Sequence, residues 1–205
     1  MAVNKPIGLF FGSFNPIHNG HLMIANWMVE YANLDQLWFI VSPLSPFKSS
    51  TSLLADKQRL EMVNQAIGED ARFRASDVEF NLPLPSYTID TLNHLKLQYP
   101  DYQFVLIMGS DQLPDFHRWK NPDQILEHYR LLVYPRSYRG AGEVDDGQRD
   151  PLLDHPSVTL AKAPMIEISS TFIRNAIREG RDVRHFVPPT VWNYLSHLPK
   201  SDLWG

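Results

Sequence analysis

Short apolar runs alternate with longer amphipathic stretches along most of the chain. Runs bounded by turn-forming residues predict buried strands, and these are Ile7–Phe11, Gln36–Val41, Phe104–Met108, Arg130–Tyr134 and Ser157–Leu160. Phe73–Phe80 is predicted as a further strand. Apolar residues three and four positions apart predict helices at Gly20–Ala32, Ala55–Ile67, Tyr87–Gln98, Pro122–His128, Ser170–Glu179 and Pro189–Ser196. This alternation indicates an α/β fold whose mainly parallel sheet is covered by helices on both faces.

The loops that follow the predicted strands are the places to look for a ligand site, because ligands bind beyond the carboxyl ends of parallel strands. These loops are Gly12–Asn19, Ser42–Leu54 and Gly109–Asn121. The 205 residues are expected to form one domain, 1–205, with a C-terminal helical part (about 168–205) packed against it.

The amino-acid composition indicates a folded domain and excludes several classes of protein. Apolar residues make up 43% of the chain and charged residues 20%, which fits a folded domain. There is no cysteine, so a disulfide scaffold, a thiol nucleophile and a cysteine-ligated metal site are excluded. A net charge of −4 argues against a nucleic-acid binder. No apolar run reaches the length of a membrane span and the first residues lack a signal-peptide pattern, so a cytoplasmic location is expected.

The loop between the first strand and the first helix has the features of an anion site. Gly12 and Gly20 allow the backbone to approach a phosphate closely, and His18 and His21 lie at the entrance and in the first turn of the helix. A helix N-terminus offers unpaired N–H groups, and both imidazoles can donate hydrogen bonds to one anion. Two histidines at this spacing also occur as packing or capping residues. A zinc site is not favoured, because no third ligand lies nearby in the sequence.

A second helix start, near the C-terminus, has similar chemistry. Ser169 or Ser170 is expected to cap this helix, and Arg174 and Arg178 share one of its faces. The apolar side chains expected to face the core are Phe172, Ile173, Ala176 and Ile177. A capped N-terminus with a cation one turn in can hold a phosphate, although an ordinary surface helix with two solvated arginines has the same pattern.

These two segments resemble the signature motifs of nucleotidyltransferases with a Rossmann-like fold. The first is similar to Thr/Ser-x-Phe-x-Pro-x-His-x-Gly-His, and the second to Ile-Ser-Ser-Thr-x-Ile/Val-Arg. The resemblance implies a Rossmann-like, doubly wound sheet and transfer of a nucleotidyl group from a nucleoside triphosphate. It also implies that His18 and His21 hold the α- and β-phosphates of ATP. Ser169, Thr171 and Arg174 would hold the β- and γ-phosphates.

Further segments narrow the resemblance to one family. Ser86–Leu92 is similar to the Ser-Tyr-Thr-x-Asp-Thr-Leu segment of bacterial nicotinate-mononucleotide adenylyltransferases, in which the threonine and nearby amides receive the nicotinate carboxylate. Trp119 aligns with the tryptophan that stacks on the pyridine ring, although a tryptophan here could equally anchor a loop. Gly109–Asp111 is similar to the family's Gly-Ala/Ser-Asp, whose aspartate meets the nucleotide hydroxyls.

The resemblance therefore implies a full set of site residues. The catalytic residues are His18, His21, Lys48 and Arg174. The ATP-binding residues are Gly12, Ser13, Phe14, Gly20, Gly109, Asp111, Ile168, Ser169 and Thr171. The nicotinate-mononucleotide-binding residues are Ser86, Tyr87, Thr88 and Trp119. No residue is assigned as a metal ligand, because Mg²⁺ would be held mainly by the ATP phosphates.

The chain departs from the family pattern at two positions. Phe47 stands where the family often has a histidine before the lysine, so that histidine's role is not carried over, and Lys48 remains a candidate phosphate ligand. Asn15 replaces a frequent aspartate in the first motif. Neither change is expected to abolish activity.

The reaction implied is adenylyl transfer from Mg·ATP to nicotinate mononucleotide, giving nicotinate adenine dinucleotide and pyrophosphate in NAD biosynthesis. The alternatives are the same chemistry on nicotinamide mononucleotide, phosphopantetheine or FMN, and a non-catalytic nucleotide-binding regulator. The expected partners are small-molecule substrates, without nucleic acid or membrane. The oligomeric state is left open, with a homo-oligomer as one option.

Overall fold

The structure is a computed structural model that describes residues 6–43, 53–136, 150–199 and 203. Within these residues the strands are β1 (Ile7–Gly12), β2 (Gln36–Val41), β3 (Phe73–Ser76), β4 (Phe104–Gly109), β5 (Arg130–Tyr134) and β6 (Val158–Leu160). The helices of the same residues are α1 (Asn19–Tyr31), α2 (Asp56–Ile67), α3 (Thr88–Gln98), α4 (Pro122–His128), α5 (Ser170–Arg178) and α6 (Pro189–His197). Most bounds lie within a residue or two of the sequence prediction.

The strands form one parallel sheet in the order β3-β2-β1-β4-β5-β6. β1 and β4 are neighbours, with Ile7 opposite Phe104 and Phe10 opposite Ile107. From this pair the chain builds outward in one direction through β2 and β3, and in the other through β5 and β6. The strand order therefore reverses between β1 and β4, which opens a crevice at their carboxyl ends. The predicted doubly wound α/β fold is confirmed.

Both faces of the sheet are buried, which explains why the strands are continuous apolar runs. Alternate strand residues such as Phe10 and Ile107 pack into one core with side chains from α1, α2, α5 and α6. Their neighbours, such as Leu9 and Leu106, pack into a second core with side chains from α3 and α4. The C-terminal helices belong to the first core, and Thr190 Oγ1 of α6 donates a hydrogen bond to the carbonyl of Gln65 in α2 (2.8 Å).

The prediction of a strand over Phe73–Phe80 is wrong beyond Ser76. Among the described strands β3 lies at the edge of the sheet and pairs with β2 alone, and its last pair is Ile40 with Ser76. The chain then turns into a short 3₁₀ helix, Val78–Asn81. This turn places Glu79 at the carboxyl edge of the sheet, where only 1% of its surface is exposed. Glu79 is therefore a buried polar residue of a turn and not the strand residue that was expected.

None of the helices in the described part of the chain is both long enough and apolar enough to cross a membrane.

Candidate active site

The loop after β1 brings two histidine rings face to face at the start of α1. His18 is the extended residue before the helix, and His21 lies in its first turn. Their ring centroids are 3.6 Å apart, and the ring planes differ by 20°. The backbone N–H of His18 donates a hydrogen bond to Nδ1 of His21 (3.2 Å). A neutral His21 therefore carries its proton on Nε2, which makes that nitrogen a donor for a ligand.

His18 is buried and electrically neutral at neutral pH. Only 3% of its surface is exposed, and its Nδ1 is a buried atom with no hydrogen-bond partner among the described residues. Burial, and then the positive charge of Arg136, lower the pKa of His18 from 6.5 to about 3. A buried polar atom without a partner and a strongly shifted pKa are both typical of functional sites.

The start of α5 lies directly against the same loop. Ser170 Oγ donates a hydrogen bond to the carbonyl of Pro16 (2.9 Å), and Arg174 Nη1 donates one to the carbonyl of Asn15 (2.9 Å). These contacts join residues 154 and 159 positions apart in the chain. The structure thus brings the two predicted phosphate-binding segments into direct contact.

The first turn of α5 presents donors beside this contact. Ser169, rather than Ser170, caps the helix, because its Oγ accepts the N–H of Phe172 (3.2 Å). Arg174 Nη2 donates to Thr171 Oγ1 (3.2 Å), while its Nε is buried with no hydrogen-bond partner among the described residues. Burial and then Arg178 lower the pKa of Arg174 below its ordinary value, so an anion placed beside the guanidinium would be strongly favoured.

The expectation that Phe172 faces the core is wrong. The buried face of α5 is formed by Ile173 and Ala176, with Ile177 partly buried. Phe172 lies beside that face and points away from the core, so 47% of its surface is exposed. Its ring contacts that of Phe186 at the surface, with the centroids 5.1 Å apart.

The carboxyl end of β4 is tied to the end of β5. A Cβ atom on Gly109 would collide with Asp111 Oδ1 and would lie 3.2 Å from the ring of Tyr134, so a larger residue here would have to displace these side chains. Ser110 Oγ donates to the carbonyl of Arg136 and accepts its N–H, both at 2.9 Å. Arg136 Nε lies 3.7 Å from Asp111 Oδ2. The predicted nucleotide-binding Asp111 therefore stands beside a cation that the sequence reasoning did not select.

An open cavity lies between the histidine pair and the end of β5. Four predicted site residues line it, namely His18, Gly20, His21 and Ile168. Tyr134, Arg136 and Ile166 also line it and were missed by the sequence reasoning. The signal for Arg136 was its place just after a predicted strand, at the edge of the sheet where ligands bind.

The start of α3 and the loop that carries Trp119 are held together. Tyr87 precedes α3, and no side chain of the described residues caps the first turn, which begins at Thr88. Lys120 Nζ lies 2.8 Å from Asp90 Oδ2 in that turn and 4.9 Å from the centroid of the Tyr87 ring. Because Trp119 adjoins Lys120 in the chain, the structure brings the predicted pyridine-binding and carboxylate-binding segments to one place.

Comparison with known proteins identifies the family. Residues 9–176 match the family model described as cytidylyltransferase-like. The protein named probable nicotinate-nucleotide adenylyltransferase in Flavobacterium johnsoniae is 49% identical over 191 residues, which cover 93% of this chain and 96% of that protein. The protein of the same name in Bacteroides thetaiotaomicron is 46% identical over 196 residues, covering 96% and 93%. The chain belongs to the nicotinate-nucleotide adenylyltransferase family.

Solved structures with a similar fold carry related names. The nicotinic acid mononucleotide adenylyltransferase of Plasmodium falciparum, complexed with NaAD, has a TM-score of 0.77 and 22% identity, covering 98% of this chain and 97% of that one. A putative nicotinate-nucleotide adenylyltransferase from Vibrio parahaemolyticus has a TM-score of 0.66 and 22% identity, covering 98% and 95%. At this identity the likeness shows the fold, which is the Rossmann-like one that the strand order indicates.

In this member of the nicotinate-nucleotide adenylyltransferase family, the first motif's small residues make room for neighbouring side chains. A Cβ on Gly12 would lie 2.8 Å from the ring of Phe14, which is itself 2% exposed. Phe14 can therefore meet a ligand only through its backbone. A Cβ on Gly20 would lie 3.0 Å from Ile166 and 3.1 Å from Nδ1 of His18. Gly20 keeps open the space beside the histidine.

Two residues of the adenylyltransferase support the loops around the site without being predicted to do so. Arg59 is fully buried, and its Nη1 donates to the carbonyls of Ser13 (2.7 Å) and Ser42 (2.8 Å). Asn15, also fully buried, accepts the N–H of Leu54 through Oδ1 (3.1 Å). A lone arginine on an amphipathic helix carries no sequence signal for this role. The predicted catalytic Lys48 lies outside the described residues.

Proposed function

We propose that the chain transfers the adenylyl group of ATP to nicotinate mononucleotide, giving nicotinate adenine dinucleotide and pyrophosphate in NAD biosynthesis. The observation that carries this proposal is the contact between the two phosphate-binding segments, where Ser170 and Arg174 hydrogen-bond to the loop of the paired histidines. Membership of the family supports the choice of substrates.

For this reaction the protein has to position the two substrates and stabilise negative charge on the phosphates. A phosphate oxygen of the acceptor attacks the α-phosphorus of ATP in line, and the bond to the β-phosphate's bridging oxygen breaks. Pyrophosphate leaves with the electron pair of that bond. No protein base is needed, because a phosphate monoester with a second pKa of about 6 is already largely ionised at neutral pH. The hydrogen-bond donors around the phosphates then lower the activation barrier, because they stabilise the negative charge that develops on the leaving pyrophosphate.

The geometry of the donors supports the catalytic roles that we propose. Neutral His18 and the Nε2 of His21 would donate hydrogen bonds to oxygens of the α- and β-phosphates. Arg174, whose buried Nε–H has no partner within the described part of the chain, would meet the β- and γ-phosphates together with Ser169 and Thr171. Lys48 is proposed as a further phosphate ligand from the family resemblance.

The remaining ATP contacts are proposed at the edge of the cavity. Asp111 would meet the nucleotide hydroxyls, and Gly109 gives it room to do so. The other proposed ATP contacts, in part through the backbone, are Gly12, Ser13, Phe14, Gly20 and Ile168. Gly20 and Ile168 line the cavity directly.

The divalent cation enters as part of the nucleotide substrate. Nucleotidyltransferases of this family generally use a divalent metal, and we propose Mg²⁺ bound to ATP. In the described ranges of the chain, no three His, Asp or Glu side chains converge on a point where an ion could sit. The phosphates and water would therefore supply most ligands, as Mg²⁺ usually prefers, and its charge would add to that of Arg174.

The acceptor is proposed to bind at the start of α3. The first N–H groups of α3, near Thr88, are not capped by any side chain that the structure describes, and they suit the nicotinate carboxylate. Trp119 can stack on the pyridine ring, and Ser86 and Tyr87 complete the segment. The single-domain organisation, the cytoplasmic location, the absence of nucleic-acid and membrane partners and a homo-oligomeric assembly stay predictions.

Pyrophosphate release from Mg·ATP, with each acceptor supplied separately, tests this function. We expect nicotinate mononucleotide to exceed nicotinamide mononucleotide, phosphopantetheine and FMN by about tenfold or more in kcat/KM. Trp119→Ala should raise KM for the acceptor and leave KM for ATP unchanged. Trp192→Ala, a partly buried tryptophan on α6, is the matched control. Turnover with another acceptor alone would overturn the acceptor assignment, and ATP binding without release would leave a nucleotide-binding regulator.

A further inference from the structure

A buried carboxyl group lies beside the proposed acceptor segment. Glu79 belongs to the short 3₁₀ helix Val78–Asn81 that follows β3, at the carboxyl edge of the sheet. Only 1% of its surface is exposed. Glutamates are rarely buried to this extent without a partner, so the position requires an explanation.

The contacts of Glu79 reach three parts of the site. Thr91 Oγ1, in the first turn of α3, donates a hydrogen bond to Glu79 Oε1 (2.7 Å), and Thr91 is itself fully buried. The hydroxyl groups of Ser42, at the end of β2, and Ser86, just before α3, also face the carboxyl group. Glu79 Oε2 and Ser86 Oγ are both buried without a hydrogen-bond partner within the described residues.

We propose that Glu79 is a positioning residue for the acceptor: its carboxyl group, through Thr91 and Ser86, fixes the Ser86–Thr88 backbone so that the N–H groups at the start of α3 point at the carboxylate of nicotinate mononucleotide. This inference rests on the proposed function, because it takes the start of α3 as the acceptor site. It adds a residue outside the predicted motifs and assigns it a role in acceptor choice.

Glu79 can position the Ser86–Thr88 backbone without repelling the acceptor only if its carboxyl group is uncharged. An ionised carboxylate close to the start of α3 would oppose the negative charge of nicotinate, as like charges do in a medium of low dielectric constant. Burial raises the pKa of Glu79, and the surrounding hydroxyl groups offset this only in part. A protonated carboxyl group also resolves the two unpartnered atoms, because Oε2–H can donate to Ser86 Oγ while Oε1 accepts from Thr91.

The test compares kinetic constants for the two substrates in paired variants of the full chain. Thr91→Val keeps the shape of the side chain and removes its hydroxyl donor. We expect it to raise KM for nicotinate mononucleotide about tenfold, the worth of one positioning hydrogen bond, with KM for ATP within about twofold. The ratio of kcat/KM for nicotinate over nicotinamide mononucleotide should fall, and Thr91→Ser should restore both values.

A second pair tests the carboxyl group itself. Glu79→Met should raise KM for nicotinate mononucleotide in the same way, and Glu79→Gln should recover most of that loss, because an uncharged amide can accept from Thr91 and donate to Ser86. Thr190→Val is the matched control: it removes a hydroxyl hydrogen bond of similar length between α6 and α2, which pack on the other face of the sheet from α3. This control should leave both KM values unchanged.

The outcomes separate the inference from the function on which it rests. Wild-type turnover of nicotinate mononucleotide, with Thr91→Val changing both KM values equally or neither, would overturn the role of Glu79 alone. A Glu79→Gln variant as impaired as Glu79→Met would show that the ionised form is needed, which also overturns it. No wild-type turnover of nicotinate mononucleotide would refute the proposed function, and the inference with it.

Discussion

Mild acid should destabilise this protein through one buried side chain, His18. The folded chain holds the imidazole neutral, because burial and the nearby charge of Arg136 lower its pKa to about 3. The unfolded chain exposes the same imidazole to water, where its pKa is 6.5. Below pH 6.5 the unfolded state therefore binds a proton that the folded state does not bind. Stability must fall as the pH falls from 6.5 toward 3.

The size of the effect follows from the two pKa values. At pH 7 the unfolded histidine is mostly neutral, so His18 costs only about 0.2 kcal/mol. At pH 5 the unfolded histidine is almost fully protonated while the folded one stays neutral. The separation of 1.5 pH units from the unfolded pKa, at about 1.4 kcal/mol per unit, gives a loss of about 2 kcal/mol.

Urea unfolding at pH 7 and pH 5, followed by circular dichroism, measures this loss. His18→Gln removes the titrating group, so its stability should fall by about 2 kcal/mol less than that of the wild type between the two pH values. The same substitution at the exposed His128 measures what a surface histidine contributes in the assay. If wild type and His18→Gln lose the same free energy within about 0.5 kcal/mol, His18 is not held neutral and the argument fails.

Three further perturbations test other parts of the site. His21→Ala should lower kcat by about 10²–10³ in steady-state pyrophosphate release, the usual cost of one charge-stabilising donor, with an unchanged circular dichroism spectrum; activity within a few-fold of wild type would refute its role. Arg59→Met should lower the free energy of unfolding by at least ~2 kcal/mol, because the buried carbonyls of Ser13 and Ser42 lose their donor, and an unchanged urea midpoint would contradict this. Ser169→Ala should cost about 1 kcal/mol of stability as a lost helix cap and should also raise KM for ATP, whereas a stability loss alone would leave only the cap.

Local pattern accounts for most of the elements. β2, α4 and β5 have the predicted bounds, because each is a short apolar or amphipathic run closed by turn-forming residues. The prediction of a strand over Phe73–Phe80 was wrong in its second half, because the local pattern does not determine that part of the chain. Its conformation depends on where pairing with β2 ends and on the burial of Glu79, and neither can be seen in the local pattern.

The candidate site divides in the same way. Its motifs are contiguous in the chain, so the glycines, histidines and helix caps could be selected from residue types and spacing. The hydrogen bonds from Ser170 and Arg174 to the first loop span more than 150 residues and depend on how α5 packs on the sheet. Arg136 and Glu79 lie in segments without a motif, and only the packing of the fold places them at the candidate site.

The sequence by itself determined the fold class and the family, and it predicted which segments bind phosphate, because these depend on periodicity and on the order of residues along the chain. The tertiary structure alone decided the charge state of His18, the exposure of Phe172 and the partners of Glu79 and Arg59. Those properties depend on desolvation and on contacts between distant segments, which exist only once the sheet and its two layers of helices have packed together.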